Sequence, residues 1–75
     1  GDYVIVNLTC PAEWAGHSLK EVDVRRHFGV SILAIYRKED IVMDLSADTV
    51  LDQGDSLMVL GHKKDIDRVE ALGQR

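Results

Sequence analysis

Val30-Ser31-Ile32-Leu33-Ala34-Ile35-Tyr36-Arg37 (VSILAIYR) decides the fold. Its apolar residues fall on both alternating faces, which predicts a strand central in its sheet. Lys38-Glu39-Asp40 follows as a tight polar turn, and Ile41 to Leu45 (IVMDL) returns as the hairpin partner. Ser46 to Asp55 (SADTVLDQGD) reads as a loop, with turn chemistry at Gln53-Gly54-Asp55. Leu57 to Gly61 (LMVLG) is another strand. Ile66, Val69 and Leu72 then recur every three residues among Asp65, Asp67, Arg68 and Glu70. That period gives an amphipathic final helix, with His62 at its cap position and Gly73 at its end.

Upstream of the central run, Asp2 to Thr9 (DYVIVNLT) alternates, with Tyr3, Ile5 and Asn7 on one face and Val4, Val6 and Leu8 on the other. β-branched residues dominate it, so it is a strand, and Pro11 ends it. Ser18-Leu19-Lys20-Glu21 fits a capping box. The helix that follows has an odd pattern. Leu19 and Val22 share a stripe, whereas Val24 and Phe28 lie about 200° round from it at helical spacing. The spacing predicts a short helix, an interruption near Asp23, and a second turn closed by Gly29 in a left-handed cap. The fold class is α+β: a small, mostly antiparallel sheet with two helical elements, in the order strand, helix, three strands, helix.

The chain has 75 residues, enough for one small domain spanning residues 1–75, and burial of so short a chain leaves modest stability. A homodimer would add burial that one core lacks. The formal net charge of -4 argues against a nucleic-acid polymer as partner, which would favour a clustered basic surface. Cys10 is the one cysteine, so no internal disulfide forms, and a reducing compartment fits. No apolar run approaches the ~20 residues of a membrane-spanning helix. The chain begins abruptly in a strand-like run, and on that ground it is expected to be a fragment of a longer protein.

Several side chains invite chemical readings. Arg25 and Arg26 stand between the helix break and the central strand, where a guanidinium fork suits a pair of phosphate oxygens. The structural alternative is a solvated pair, one of them bridging to Asp23 or Glu21. Cys10, His17, His27 and His62 lack the close, regular spacing of a zinc site, so no metal is expected. Asp48, Asp52 and Asp55 share a loop, and paired carboxylates do acid-base work only where burial separates their pKa values. Turn chemistry is the simpler account of them. Cys10 has no activating base near it in sequence, so no enzyme is expected. Trp14, the only tryptophan, is expected to plug the core or a dimer interface.

Taken in order, Gly16-His17-Ser18-Leu19, Val22, Val24-Arg25, Phe28-Gly29-Val30, Ile32-Leu33-Ala34-Ile35, Asp48-Thr49-Val50-Leu51, Gln53-Gly54-Asp55 and Leu57-Met58-Val59-Leu60-Gly61-His62 resemble the TrkA-C family, also called the RCK C-terminal domain. The run Gly61-His62-Lys63-Lys64-Asp65-Ile66 is most similar to the KtrA branch of potassium uptake regulators. The resemblance implies a cytoplasmic regulatory domain, peripheral to the inner face of the cell membrane. It implies a homodimer that works with a membrane-embedded cation transporter subunit through the full-length protein. It also implies an effector, cyclic di-AMP in several members, held at the dimer interface to gate transport; no cofactor is implied for this stretch itself. The ligand-binding positions it implies are Leu19, Arg25, Ser31, Ile32 and Ala47, with Ala47 standing where the family often has proline. The alternatives are a ligand-free dimerisation or assembly module, or a regulatory domain of a cation/proton antiporter.

Overall fold

The structure, a computed structural model, describes residues 2–73. Its elements are β1 (Tyr3–Thr9), α1 (Leu19–Val22), α2 (Val24–Phe28), β2 (Ser31–Arg37), β3 (Asp40–Val42), β4 (Ser56–His62) and α3 (Lys63–Leu72). The four strands make one sheet in the order β1-β4-β2-β3, and every pairing is antiparallel. The central run is therefore an interior strand, as its two-faced apolar pattern requires.

Both helical layers cover the same face. Leu57 and Val59 of β4 and Ile35 of β2 are fully buried against Val24 of α2 and Ile66 and Val69 of α3. Burying an aliphatic side chain of this size stabilises by about 1.5–3 kcal/mol, so these six carry much of the fold. Trp14 lies in this core at 5% exposure, its ring centroid 5.7 Å from that of Phe28, which selects the core over the interface reading. Gly61 is the close approach: a Cβ there would come within 2.7 Å of Val30 Cγ1, so the Val30 side chain lies against the Gly61 backbone.

The helix break falls where the phase change put it. Asp23 takes a left-handed conformation at φ 49°, ending α1 and rotating α2 so that Val24 turns into the core. Gly29 closes α2 at φ 74°, its amide donating to the Arg25 carbonyl at 3.0 Å. The capping box is complete, with the Ser18 amide on Glu21 Oε1 at 2.8 Å and the Glu21 amide on Ser18 Oγ at 3.1 Å.

One boundary needs correction. The hairpin partner expected over Ile41 to Leu45 is only Asp40–Val42, with Asp40 inside the strand rather than in the turn. Beyond Val42 the backbone finds other partners. Lys20 donates to the Ala47 carbonyl, Leu19 to the Thr49 carbonyl and Leu51 to the His17 carbonyl, each at 2.9 Å. A bridge pairs Ser18 with Val50. The loop is thus laid along residues 16–20 and drawn off the sheet.

Candidate effector-binding site

Two groups of the expected ligand-binding residues come together locally. In the first, α2 presents Arg25 to solvent and the Gly29 turn reverses the chain, so that Ser31 at the start of β2 lies within reach. The Arg25 guanidinium donates to Ser31 Oγ at 3.1 Å. Ile32 follows, half-buried and paired with Val59 on the covered face. Between Ile32 and Ala34 the register shifts, leaving Leu33 as an extra residue and 38% exposed. No hydrogen bond or ion pair holds Arg26 among the described residues, and neither arginine bridges to Asp23 or Glu21.

In the second group, half-buried Leu19 and exposed Ala47 are brought side by side by the Leu19–Thr49 and Lys20–Ala47 backbone bonds. The loop turn is fixed from within by the Ser46 amide on Thr49 Oγ1 at 3.0 Å. The kinked α1–α2 pair joins the two groups. Four surface cavities, of about 630, 300, 510 and 230 Å3, are lined by none of the five residues. The five therefore stand outside these cavities, with an arginine fork in the first group and apolar side chains in the second.

Sequence reasoning missed the strongest polar cluster. Arg37 at the end of β2 grips Asp55 with both ends of its guanidinium: Nε to Oδ1 at 3.0 Å and a terminal nitrogen to Oδ2 at 2.8 Å. That nitrogen also donates to the Val50 carbonyl at 2.9 Å, and Asp52 Oδ2 lies 3.2 Å from Nε. The Asp52 amide completes the cluster with a bond to Asp55 Oδ2 at 2.9 Å. Asp55 is 2% exposed, and the guanidinium hydrogen bond holds its carboxyl below the usual carboxylate range, against the opposing effect of burial. The same bond raises Arg37. A carboxylate locked in a bidentate pair is a structural ion and a poor proton carrier. It pins the loop on one side while residues 16–20 pin it on the other.

Burial, followed by the Asp55 and Asp52 charges, pushes the Cys10 thiol up to about 11, which leaves it unreactive near neutrality. The histidines are scattered. His27 Nδ1 donates to the Val22 carbonyl at 3.0 Å, His17 lies 3.9 Å from Glu21, and the His62 ring centroid is 4.1 Å from that of Tyr3. Among the described residues no three metal-ligating side chains converge.

The TrkA-C domain family matches residues 3–72. The Ktr system potassium uptake protein A of Bacillus subtilis (strain 168) is 35% identical over 72 residues, covering 96% of this chain and 32% of that protein. The chain thus spans about a third of the length of this relative. Among solved structures, the RCK C domain of the potassium transport protein KtrA in complex with cyclic di-AMP is 31% identical, with a TM-score of 0.86. That match covers 93% of this chain and 82% of the other. The RCK_C domain dimer of S. agalactiae BusR in complex with cyclic di-AMP, at 21% identity, 99% and 94% coverage and a TM-score of 0.83, shares the fold. The first two are proteins of potassium uptake and transport, the solved one a regulator-of-conductance domain, and the chain is not an enzyme.

Proposed function

The chain belongs to the TrkA-C family, and from that premise we propose that it is the effector-binding part of a longer cytoplasmic regulator of potassium uptake, which two copies form together. The effector is cyclic di-AMP. It lies between the copies and biases the geometry of a membrane-embedded transporter subunit by preferring one arrangement of the dimer. Residues 1–75 are one regulatory domain within that regulator.

The observation that carries this reading is the Arg25–Ser31 contact at 3.1 Å. It holds a guanidinium fork at the turn into β2, on an otherwise solvent-facing arginine, with Ile32 adjoining it. A planar fork matches a phosphodiester's two free oxygens. Leu19, Ile32 and Ala47 supply apolar walls for a base. An open surface of this kind encloses a ligand only when a second surface faces it, which supports an effector shared by two copies. Two Arg25 side chains brought together would repel, and a dianionic ligand relieves that repulsion. The solved KtrA domain bound to cyclic di-AMP, 31% identical over nearly the whole chain, agrees in ligand and in size.

Titration calorimetry with cyclic di-AMP tests the reading. Charge-assisted hydrogen bonds contribute about 1.5–3 kcal/mol each, so Arg25→Ala weakens binding at least about tenfold. Arg25→Lys restores it only in part, because a point charge lacks the fork. Binding that survives loss of Arg25 but not of Arg26 moves the site to the neighbouring residue. No heat with the wild-type chain at millimolar ligand leaves the ligand-free assembly module as the function.

A further inference from the structure

Arg25 rides on α2, and little within α2 fixes where it points. The helix has five residues, far below the ~12–15 at which an isolated helix begins to hold its shape. Val24 is its one buried residue, and its N-cap, Asp23, makes no side-chain capping bond. Beside it a surface cavity of about 300 Å3 opens among Trp14, Val22, His27, Phe28 and Leu72, so packing does not wedge that flank. The far end of α2 is fixed by polar contacts instead.

Those contacts converge on His27. Its ring Nδ1 lies 3.0 Å from the Val22 carbonyl, which only accepts, so the ring donates back across the break at Asp23 and ties α2 to α1. The His27 carbonyl, one of those that a helix end leaves unpaired, accepts from Arg68 of α3 at 3.0 Å. The other terminal nitrogen of Arg68 donates to Asp65 Oδ1 at 3.0 Å, and its Cζ stands 5.4 Å from the Phe28 ring centroid. Asp65 in turn lies against the Gly29 turn, where a Cβ on the glycine would meet its Oδ2 at 3.2 Å. The Gly29 amide donates to the Arg25 carbonyl, and two residues on is Ser31, whose hydroxyl accepts from the Arg25 guanidinium.

We propose that His27 and Arg68 are positioning residues for Arg25, clamping α2 between α1 and α3 so that its guanidinium is held at the turn into β2. The inference rests on the effector reading above and deepens it by naming what sets the fork. The core needs neither side chain: both are exposed, and the buried residues of α3 are Ile66 and Val69. An exposed ion pair by itself contributes little. The Lys63–Asp67 pair is of that kind, since both its members belong to α3. Arg68 differs because it joins α3 to α2 at two consecutive residues, His27 and Phe28. By linkage, a ligand that favours one setting of Arg25 favours the matching setting of α2 against α3.

The ligand-free chain gives the first test, through proton–nitrogen correlation spectra of its arginine side chains. The Arg25 signal, assigned by its loss in Arg25→Lys, is expected apart from freely rotating guanidinium groups, and Ser31→Ala marks where the released group falls. Arg68→Met and His27→Leu should move Arg25 towards the Ser31→Ala position. His27→Asn keeps a donor near the place of Nδ1, and Arg68→Lys keeps the charge and one donor, so each should recover part of the shift. Lys63→Met, which breaks the neighbouring pair on the same helix, should leave Arg25 unmoved. Far-ultraviolet circular dichroism checks the fold of each variant. Calorimetry with cyclic di-AMP is the second test. Arg68→Met should weaken binding about three- to tenfold, and should add less than about twofold in an Arg25→Ala chain, because it acts through Arg25. An Arg25 signal unmoved by both Arg68→Met and His27→Leu overturns the proposal, whether or not the effector binds. So does a loss of affinity in Arg68→Met that persists in full without Arg25. No heat with the wild-type chain, beside a shifted Arg25 signal, overturns the effector reading and leaves the clamp standing.

Discussion

Replacing Asp55 by Asn keeps the side chain's shape and removes its charge, and the outcome follows from the geometry of its two oxygens. Oδ1 accepts one bond, from Arg37 Nε, and Oδ2 accepts two, from an Arg37 terminal nitrogen and the Asp52 amide. An amide in the same place must turn its NH2 towards one side or the other. Turned towards the Oδ2 partners it faces two donors; turned towards Nε it faces one. The cheaper orientation therefore sacrifices one charge-assisted hydrogen bond together with the ion-pair attraction. Such bonds contribute about 1.5–3 kcal/mol, so Asp55→Asn should cost about 2–3 kcal/mol at neutral pH. Asp55→Ala abandons all three bonds and should cost about 3–5 kcal/mol. The lower part of each range is expected, because the Arg37 side chain is 33% exposed and water can replace part of what it loses.

Urea unfolding at fixed protein concentration reads these differences, the fixed concentration holding the mass-action contribution of association constant between variants. Its pH dependence gives an independent check. The folded state holds the Asp55 carboxyl below its ordinary value, so the unfolded chain takes up a proton first as pH falls. The stabilisation is present above the ordinary carboxylate pKa and is lost as pH falls through the lowered folded value. The gap between wild type and Asp55→Asn should therefore be widest near neutrality and close in acid. A gap under about 0.5 kcal/mol at pH 7, the scale of an unremarkable surface substitution, would refute the claim that this pair anchors the loop. A gap that widens in acid would refute its electrostatic cause.

Gly61→Ala puts a methyl 2.7 Å from Val30 Cγ1, and such overpacking should cost about 1–3 kcal/mol by thermal or urea unfolding. Val30→Ala in the same chain makes room for that methyl, so the double variant should lose less than the two single losses added together. Ile66→Ala empties a site that is 1% exposed and should cost about 2–5 kcal/mol; a loss under about 0.5 kcal/mol would place α3 on the surface. Cys10, buried and with its thiol raised to about 11, should resist iodoacetamide near neutral pH and react when urea unfolds the chain, as mass spectrometry would record.

Strand and helix identities were legible because each was written in local periodicity. The two-faced apolar pattern of Val30 to Arg37 marked an interior strand, and β2 is one. The phase jump between Val22 and Val24 located the interruption near Asp23, which the structure makes with a left-handed residue, because continuous helical phase could not put both Leu19 and Val24 to use in one core. Periodicity failed where a segment's partner is distant. Ile41 to Leu45 alternates as a strand should, yet the ladder ends at Val42. The backbone from Ala47 to Leu51 pairs with residues 16–20, and nothing within the segment signals that partner.

Arg37 and Asp55 were each legible and their pairing was not. Gln53-Gly54-Asp55 has genuine turn chemistry, since the Asp55 amide bonds to the Asp52 carbonyl at 3.1 Å, so a sufficient local role concealed a long-range one. The carboxylate is buried because β4 begins at Ser56 beside Tyr36, which carries the end of β2 and its arginine to the loop's inner side. The proposed effector surface was hidden in a different way. Its five residues carry no shared spacing, and a family resemblance named them before any geometry did. The geometry then divides them into Arg25 and Ser31 across the Gly29 turn, with Ile32 following, and an apolar pair across the Lys20–Ala47 bond. Arg37 acts on the second pair alone, through the loop it anchors. Loosening that loop with Asp55→Asn should therefore weaken the apolar wall around Ala47 while leaving the Arg25–Ser31 contact in place. Cyclic di-AMP affinity should fall in Asp55→Asn yet keep its dependence on Arg25, so that adding Arg25→Ala costs a further tenfold or so. If Asp55→Asn instead abolished the effect of Arg25→Ala, the loop and the fork would be one unit, and the division of the surface into two halves would be wrong.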